Sequence, residues 1–271
     1  SEKEIEKNIK NIEKIFKIFL KTKNQKTKPI FINNYKWLGK LNYIKFLREI
    51  GKHFTINKML SFDSVKLRLE REQSLSYMEF NYMILQAYDF LELNKTKNCL
   101  MQIGGSDQWG NIVNGVELIK RHSSKQVFGL TTPLITLASG SKMGKTEKGA
   151  IWLDKKLLSS YDYWQFWRNT DDRDVLRFLK MFTNLTLKKV EETKNRNINQ
   201  LKIILANEAT AMLHGKTAAQ RAEQTAKNTF EKKSIGKDLP SVKIKKEKII
   251  NGINIIDLVI ASNLLSSKSE V

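Results

Sequence analysis

The sequence predicts an α/β chain in which part of a doubly wound, nucleotide-type fold is followed by an all-helical domain. Three observations carry that expectation. Cys99-Leu100-Met101-Gln102-Ile103 is a short, mostly apolar run that opens into Gly104-Gly105, with helical spacing from about Trp109 to Lys120. A buried strand, a glycine turn and a helix make half of a nucleotide-fold unit. Phe128 to Leu137 reads as the next strand region, broken by Pro133. After Trp152 the texture changes, and the segments carry helical spacing instead.

Taken in order, residues 2–20 place Ile5, Ile9, Ile12, Ile15, Phe16 and Phe19 at helical intervals with charges between. Residues 21–28 are a polar, Lys-rich connector. Phe31 to Leu41 is mixed and reads as turns, punctuated by Asn33-Asn34 and Gly39. Leu41 to Ile50 and Thr55 to Arg71 read as helices, and Ser76 to Leu93 as a strong one. Ser139 to Lys148 is a Gly/Lys/Ser loop. Ser160 to Asn169, Val175 to Phe182 and Ile198 to Lys232 read as helices, the last rich in Ala and Glu. A boundary is expected near residue 155 and a linker over Lys233 to Lys248, which contains Gly236 and Pro240. Ile255 to Ile260 opens a further small unit. No internal repeat is present.

Composition bounds the function less than the motifs do. The 271 residues include thirteen Phe, seven Tyr and five Trp at 41% hydrophobic content, enough for real cores and against global disorder. Lys+Arg number 48 against 28 Asp+Glu, a formal charge of +20. That excess suits a polyanionic partner such as RNA or an acidic membrane surface. A genome rich in A and T, which inflates Lys, Asn and Ile everywhere, explains it as well. The single cysteine, Cys99, excludes a disulfide framework or cysteine zinc site within one chain, and suggests a reducing, cytoplasmic setting. His53, His122 and His214 fall at no metal-ligand spacing and are expected to be structural or surface residues. No apolar stretch is long enough to span a membrane, and the N-terminus is not a signal peptide.

Three groups carry chemistry. In Tyr82-Met83-Ile84-Leu85-Gln86-Ala87-Tyr88-Asp89, positions 82, 86 and 89 fall within about 60° on a helix, so a phenol, an amide and a carboxylate share one face. That set can grip a small zwitterion with a polar tip; a solvated helix face has the same pattern. In Gly104-Gly105-Ser106-Asp107-Gln108-Trp109-Gly110-Asn111, glycines after a strand admit a ligand to the backbone, and a carboxylate there can bind ribose hydroxyls. The helix N-terminus that follows favours phosphate. The glycines alone would describe any strand-to-helix turn, whereas the whole octapeptide is specific. In Ser141-Lys142-Met143-Gly144-Lys145-Thr146, two lysines on a small-residue loop can stabilise the charge of a leaving pyrophosphate. An exposed basic loop is the plainer reading in so basic a chain. It is not a Walker loop, because Gly140 is four positions before Gly144 rather than five.

The phrases YMILQAYDF, GGSDQWGN and KMGKT, in this order, resemble bacterial tyrosyl-tRNA synthetase, a class I aminoacyl-tRNA synthetase. KMGKT is similar to that class's mobile KMSKS loop, with Gly in place of the middle Ser. KHF at 52–54, Thr132-Pro133-Leu134 and NTDDRDV at 169–175 match as well, so the resemblance runs along essentially the whole chain. It implies that Tyr82 and Gln86 hold the tyrosine ammonium, Gln108 lies near its carboxylate, and Asp89 accepts a hydrogen bond from the substrate hydroxyl. Phenylalanine would then leave a buried polar group unpaired; tyrosyl-tRNA synthetases are themselves the known illustration of that argument. Gly105 and Asp107 would contact the ribose, Leu134 and Ile135 would lie near the adenine, and Lys142, Lys145 and Thr146 would act on pyrophosphate. The implied reaction joins L-tyrosine to ATP, with Mg2+ accompanying the nucleotide and no protein-bound metal, and then transfers tyrosine to the 3′ end of tRNA(Tyr). The family is usually a homodimer through its connective region, here about residues 30–75.

Besides the Gly in its KMSKS-like loop, the chain departs from the family in carrying no HIGH signature and only the opening of the S4-like domain. The resemblance implies that the first strand and HIGH helix lie before Ser1, which is not Met, and that the chain alone is inactive. Its fold would be the C-terminal part of a Rossmann-like class I catalytic domain with a connective insertion, residues 1–155. A helical anticodon-arm domain, 156–248, and the start of an S4-like RNA-binding domain, 249–271, would follow. Two other readings stay open on sequence alone. One is a non-catalytic RNA-binding or scaffold protein. The other is the sister tryptophanyl enzyme, which shares the mobile loop but not the Tyr82/Gln86/Asp89 face.

Overall fold

The structure, a computed structural model, describes residues 1–146, 149–230, 242–250, 252–262, 264–265 and 267–270; the side chains of 145, 146, 149, 230 and 248 also stand outside the description. The helices are α1 (Glu2–Phe19), α2 (Tyr35–Leu38), α3 (Tyr43–Glu49), α4 (Ile56–Leu60), α5 (Asp63–Glu70) and α6 (Tyr77–Lys97). Strand β1 (Met101–Gly105), helix α7 (Trp109–Ser123) and strand β2 (Phe128–Thr132) follow. Then come β3 (Lys145–Thr146), β4 (Gly149–Ala150), α8 (Ser160–Arg168), α9 (Asp172–Phe182), α10 (Leu187–Thr193), α11 (Ile198–His214) and α12 (Lys216–Phe230), with α13 (Lys246–Ile250) and α14 (Ile255–Ala261) last.

Contacts divide the chain into two compact units, 30–136 in one and 1–29 with 137–271 in the other. The first is built on α6 and α7. A capping box starts α6: Ser76 Oγ accepts the Glu79 N–H at 3.2 Å, and Glu79 Oε2 accepts the Ser76 N–H at 2.9 Å. Its last turn carries Lys95 and Lys97, and Asn98 stops it in the left-handed region at φ 50°. The inner face, Met83, Ile84, Ala87, Phe90 and Leu91, packs with Leu118 and Ile119 of α7 and with Phe46, Met59 and Val65. Strands β1 and β2 lie parallel, from Met101 opposite Phe128 to Gly105 opposite Thr132. The strand run thus sits two residues later than Cys99–Ile103 and includes both glycines. The second strand stops at Thr132, because Pro133 has no N–H to continue a ladder.

Three helix expectations need correction. Thr55–Arg71 is two helices, broken at Ser61-Phe62, where Phe62 turns extended at φ −73°, ψ 137° and packs on the core. A straight helix would set Met59 and Val65 about 120° apart; the bend lets both face inward, at 2% and 3% exposure. Within Phe31–Leu41, read as turns, the short α2 forms. Ile198–Lys232 is interrupted at Gly215, whose φ of 90° a helix cannot hold, giving α11 and α12; residues 231–232 lie outside the described residues. Much of the expected Lys233–Lys248 linker, with Gly236 and Pro240, lies outside them too.

In the second unit, α8, α9, α11 and α12 enclose an aromatic core. Trp167 meets Phe178 edge-on at 6.2 Å and Phe182 at 5.0 Å, with Val175, Leu179, Leu205 and Val190 of α10 fully buried around them. Helix α10 was not foreseen: its Lys-rich sequence offers little beyond Leu187 and Val190. The segment read as a bare loop, Ser139–Lys148, contains β3, which pairs antiparallel with β4. Among the described residues no helix is long and apolar enough to cross a membrane.

Candidate active site

Helix α6 carries the first cluster. Positions 82, 86 and 89 share one face, as their spacing requires. The Asp89 carboxylate accepts the Trp37 indole N–H at 2.6 Å on one oxygen and the Asn34 amide at 2.9 Å on the other. A carboxylate offers about four acceptor positions, so two fixed donors orient it and leave capacity for another. Asn34 and Trp37 sit one turn apart at α2, 52–55 residues from their partner, so no local pattern announces them.

The second cluster links α6 to the glycine turn. Asn111 on the first turn of α7 donates to Gln86 Oε1 at 3.0 Å and to Gln108 Oε1 at 3.3 Å. Gln108 in turn donates to Asp107 Oδ2 at 3.3 Å. One chain of side chains therefore joins Gln86, Asn111, Gln108 and Asp107. Asn111 closes the octapeptide read from sequence, yet its role as the joint between the two motifs becomes visible only when α6 and α7 pack. Gly105 lies directly beneath Asp107 and Leu134: a Cβ there would stand 2.6 Å from Asp107 Oδ1 and 3.1 Å from Leu134 Cδ2. Tyr82, at 59% exposure, and Ile135, at 37%, stand outside the chain of hydrogen bonds on the open side.

The lysine loop belongs to the other unit. Lys142 is exposed. Lys145 and Thr146 form β3, and their side chains lie outside the described residues. The base of the loop is tied down: Ala138 donates its N–H to Asp174 Oδ2 at 2.7 Å, and the Gly144 carbonyl accepts from Ile151 at 3.1 Å.

His53 and His122 come within 6.3 Å between ring centres, a proximity the sequence did not reveal, and burial followed by nearby lysines, with Arg121 adding to this at His53, holds both below the ordinary imidazole pKa. Burial against Tyr163 lowers His214 as well. Among the described residues no group of three or more His, Cys, Asp or Glu gathers at metal-binding distance.

The family model described as tRNA synthetases class I (W and Y) matches residues 1–231. The chain belongs to the class I tRNA synthetases of this W and Y family. Among curated relatives, the chain is 70% identical over 271 residues to the tyrosine–tRNA ligase of Pelagibacter ubique, covering all of this chain and 66% of the relative. It is 51% identical over 269 residues to that of Roseobacter denitrificans, covering 98% of this chain and 65% of the relative. The chain thus spans just under two thirds of the length of the curated relatives it matches. In structure, it is similar to a C-terminally truncated mitochondrial tyrosyl-tRNA synthetase of Aspergillus nidulans, with a TM-score of 0.68 and 30% identity over 82% of this chain and 66% of that one. The corresponding enzyme of Coccidioides posadasii gives a TM-score of 0.60 and 33% identity over 71% and 56%. The α/β class I fold, largely helical with a small parallel sheet, is the one the chain shares with them.

Proposed function

We propose that the whole protein is a tyrosine–tRNA ligase and that this chain carries the tyrosine-selecting face, the ribose turn and the pyrophosphate loop. The carrying observation is Asp89, a carboxylate oriented by Trp37 and Asn34 on the same helical face as Gln86. A phenolic O–H can donate to its remaining lone pairs; an indole reaching the same depth would present its N–H at another distance and angle. The curated relatives, named as tyrosine–tRNA ligases, support the same choice between the two substrates of the family.

In this reading Tyr82 and Gln86 hold the ammonium group, and Gln108 lies beside the carboxylate, its amide oriented by Asn111. Gly105 and Asp107 take the ribose, the bare glycine letting the sugar approach the backbone, and Leu134 with Ile135 cover the adenine. The tyrosine carboxylate attacks the α-phosphorus of ATP, the bond to the bridging oxygen breaks, and pyrophosphate leaves as tyrosyl-adenylate forms. Lys142, Lys145 and Thr146 stabilise the charge that builds on the departing group. This is positioning and electrostatics, with no protein nucleophile. A hydroxyl at the 3′ end of tRNA(Tyr) then attacks the tyrosyl carbonyl, its ester bond forms as the bond to AMP breaks, and AMP leaves. Mg2+ enters as part of the nucleotide substrate, held by its phosphates. Residues 1–155 serve adenylation, the helical domain over 156–248 meets the tRNA anticodon arm, and 249–271 begins an S4-like RNA-binding domain. The protein acts in the cytoplasm as a homodimer through the region around residues 30–75.

The test is aminoacylation by the whole protein with tRNA(Tyr) and tRNA(Trp) transcripts. Charging of tRNA(Tyr) with tyrosine is expected; charging of tRNA(Trp) with tryptophan would refute the assignment.

A further inference from the structure

The strongest feature left over is a buried carboxylate beside the lysine loop that the proposed chemistry does not use. Asp174, in the first turn of α9, is 3% exposed. A carboxylate that far from water persists only with partners. It has two: Oδ2 accepts the backbone N–H of Ala138 at 2.7 Å, and Oδ1 accepts Arg177 Nη2 at 2.6 Å. Ala138 opens the turn that leads into the loop, where Leu137 and Ser141 close on each other through a 2.8 Å bond from the Leu137 N–H to the Ser141 carbonyl. On the far side, Met143 packs against the aromatic core and Ile151 bonds Gly144. Helix α9 is itself pinned to α11 by Lys202 and Asp172, 2.6 Å apart. Lys142 therefore lies between two tethered points, and the first is a single charge-assisted hydrogen bond to α9, which packs into the aromatic core.

We propose that Asp174 is a positioning residue for the lysine loop, acting through the Ala138 N–H. This rests on the reading of Lys142–Thr146 as the pyrophosphate loop. The carboxylate touches no reacting atom. It fixes where the loop starts, so the lysines need not be ordered during the reaction itself. A role confined to helix stability would lower the melting temperature and leave the balance between tyrosine binding and chemistry untouched.

The test has two arms. In this chain, hydrogen exchange is compared for wild type, Asp174→Asn and Asp174→Ala. The asparagine keeps an acceptor for Ala138, whereas alanine has none. Exchange at Ala138 is expected to rise about tenfold or more in Asp174→Ala, the scale of one lost bond to a charged acceptor, and far less in Asp174→Asn, with α11 amides unchanged in both. In the whole protein, single-turnover adenylate formation is expected to slow about tenfold in Asp174→Ala. Tyrosine affinity should stay within about twofold, and the asparagine variant should recover most of the rate. Wild-type exchange at Ala138 in Asp174→Ala, equal slowing in both variants, or equal losses in rate and tyrosine affinity would each overturn the proposal. If the wild-type protein makes no tyrosine-dependent adenylate, the functional reading fails on its own, and the exchange arm still decides whether Asp174 anchors the loop.

Discussion

Replacing Gly105 by alanine isolates the half of the site proposed to bind the nucleotide. The backbone at Gly105, φ −72° and ψ 165°, is one that alanine adopts without strain. The whole effect must come from the added methyl group. It would stand 2.6 Å from Asp107 Oδ1 and 3.1 Å from Leu134 Cδ2. Ordinary contact needs about 3.4 Å, so the carboxylate must retreat by roughly 0.8 Å, more than a hydrogen bond to a ribose hydroxyl tolerates. Asp107 is the end of an exposed, rotatable side chain, so folding should hardly notice: a change of about 0.5 kcal/mol moves the melting temperature by about 1 °C at this size. Losing a hydrogen bond to a charged group costs about 1.5–3 kcal/mol, which is roughly ten- to a hundredfold in affinity. Gly105→Ala should therefore raise the KM for ATP by that factor in pyrophosphate exchange, with tyrosine affinity and melting temperature unchanged. Asp107→Ala should do the same, and the double variant should be clearly less than additive, since both remove one interaction. An unchanged KM for ATP, or a drop of several degrees in melting temperature, would refute the reasoning.

Other expectations follow from the same geometry. Trp37→Phe removes one of the two donors on Asp89 and should weaken tyrosine binding about tenfold in equilibrium dialysis, leaving the KM for ATP alone. Asp89→Ala should lose discrimination between tyrosine and phenylalanine more than it loses ATP affinity; equal losses would contradict the role given to Asp89. Lys145→Ala should slow single-turnover adenylate formation with tyrosine binding little changed. The Arg68 guanidinium, followed by the Ser76 cap, lowers Glu79 from 4.5 to about 2. A depressed carboxylate stabilises above its unfolded pKa and loses that contribution as pH falls through the folded value, so the α6 N-terminus should fray between about pH 4.5 and 2. Glu79→Gln should flatten that part of the acid unfolding profile.

The motif-bearing elements were legible because their signals are local. The α6 helix read from Ser76, the glycine turn and the Tyr82/Gln86/Asp89 face each show within a short stretch of sequence, whereas the capping box that starts α6 is seen only in the structure. The helix ends at Ser61-Phe62 and Gly215 were not, since an apolar period continues across both, and only the demand of the core at Met59 and Val65 or the φ of Gly215 breaks it. The partners of the site were hidden for a related reason. Asn34 and Trp37 meet Asp89 across more than fifty residues, Asn111 joins two motifs that look separate in sequence, and Asp174 reaches Ala138 from 36 positions away. Residue type carries the proposed chemistry; the residues that orient it are found only where elements pack.

Amino-acid dependence of ATP–pyrophosphate exchange by the whole protein tests the central claim most directly. Tyrosine should drive exchange, with phenylalanine and tryptophan near background, and Asp89→Ala should bring tyrosine and phenylalanine closer together. Exchange driven by tryptophan, or by phenylalanine as well as by tyrosine in the wild type, would contradict the account of the α6 face.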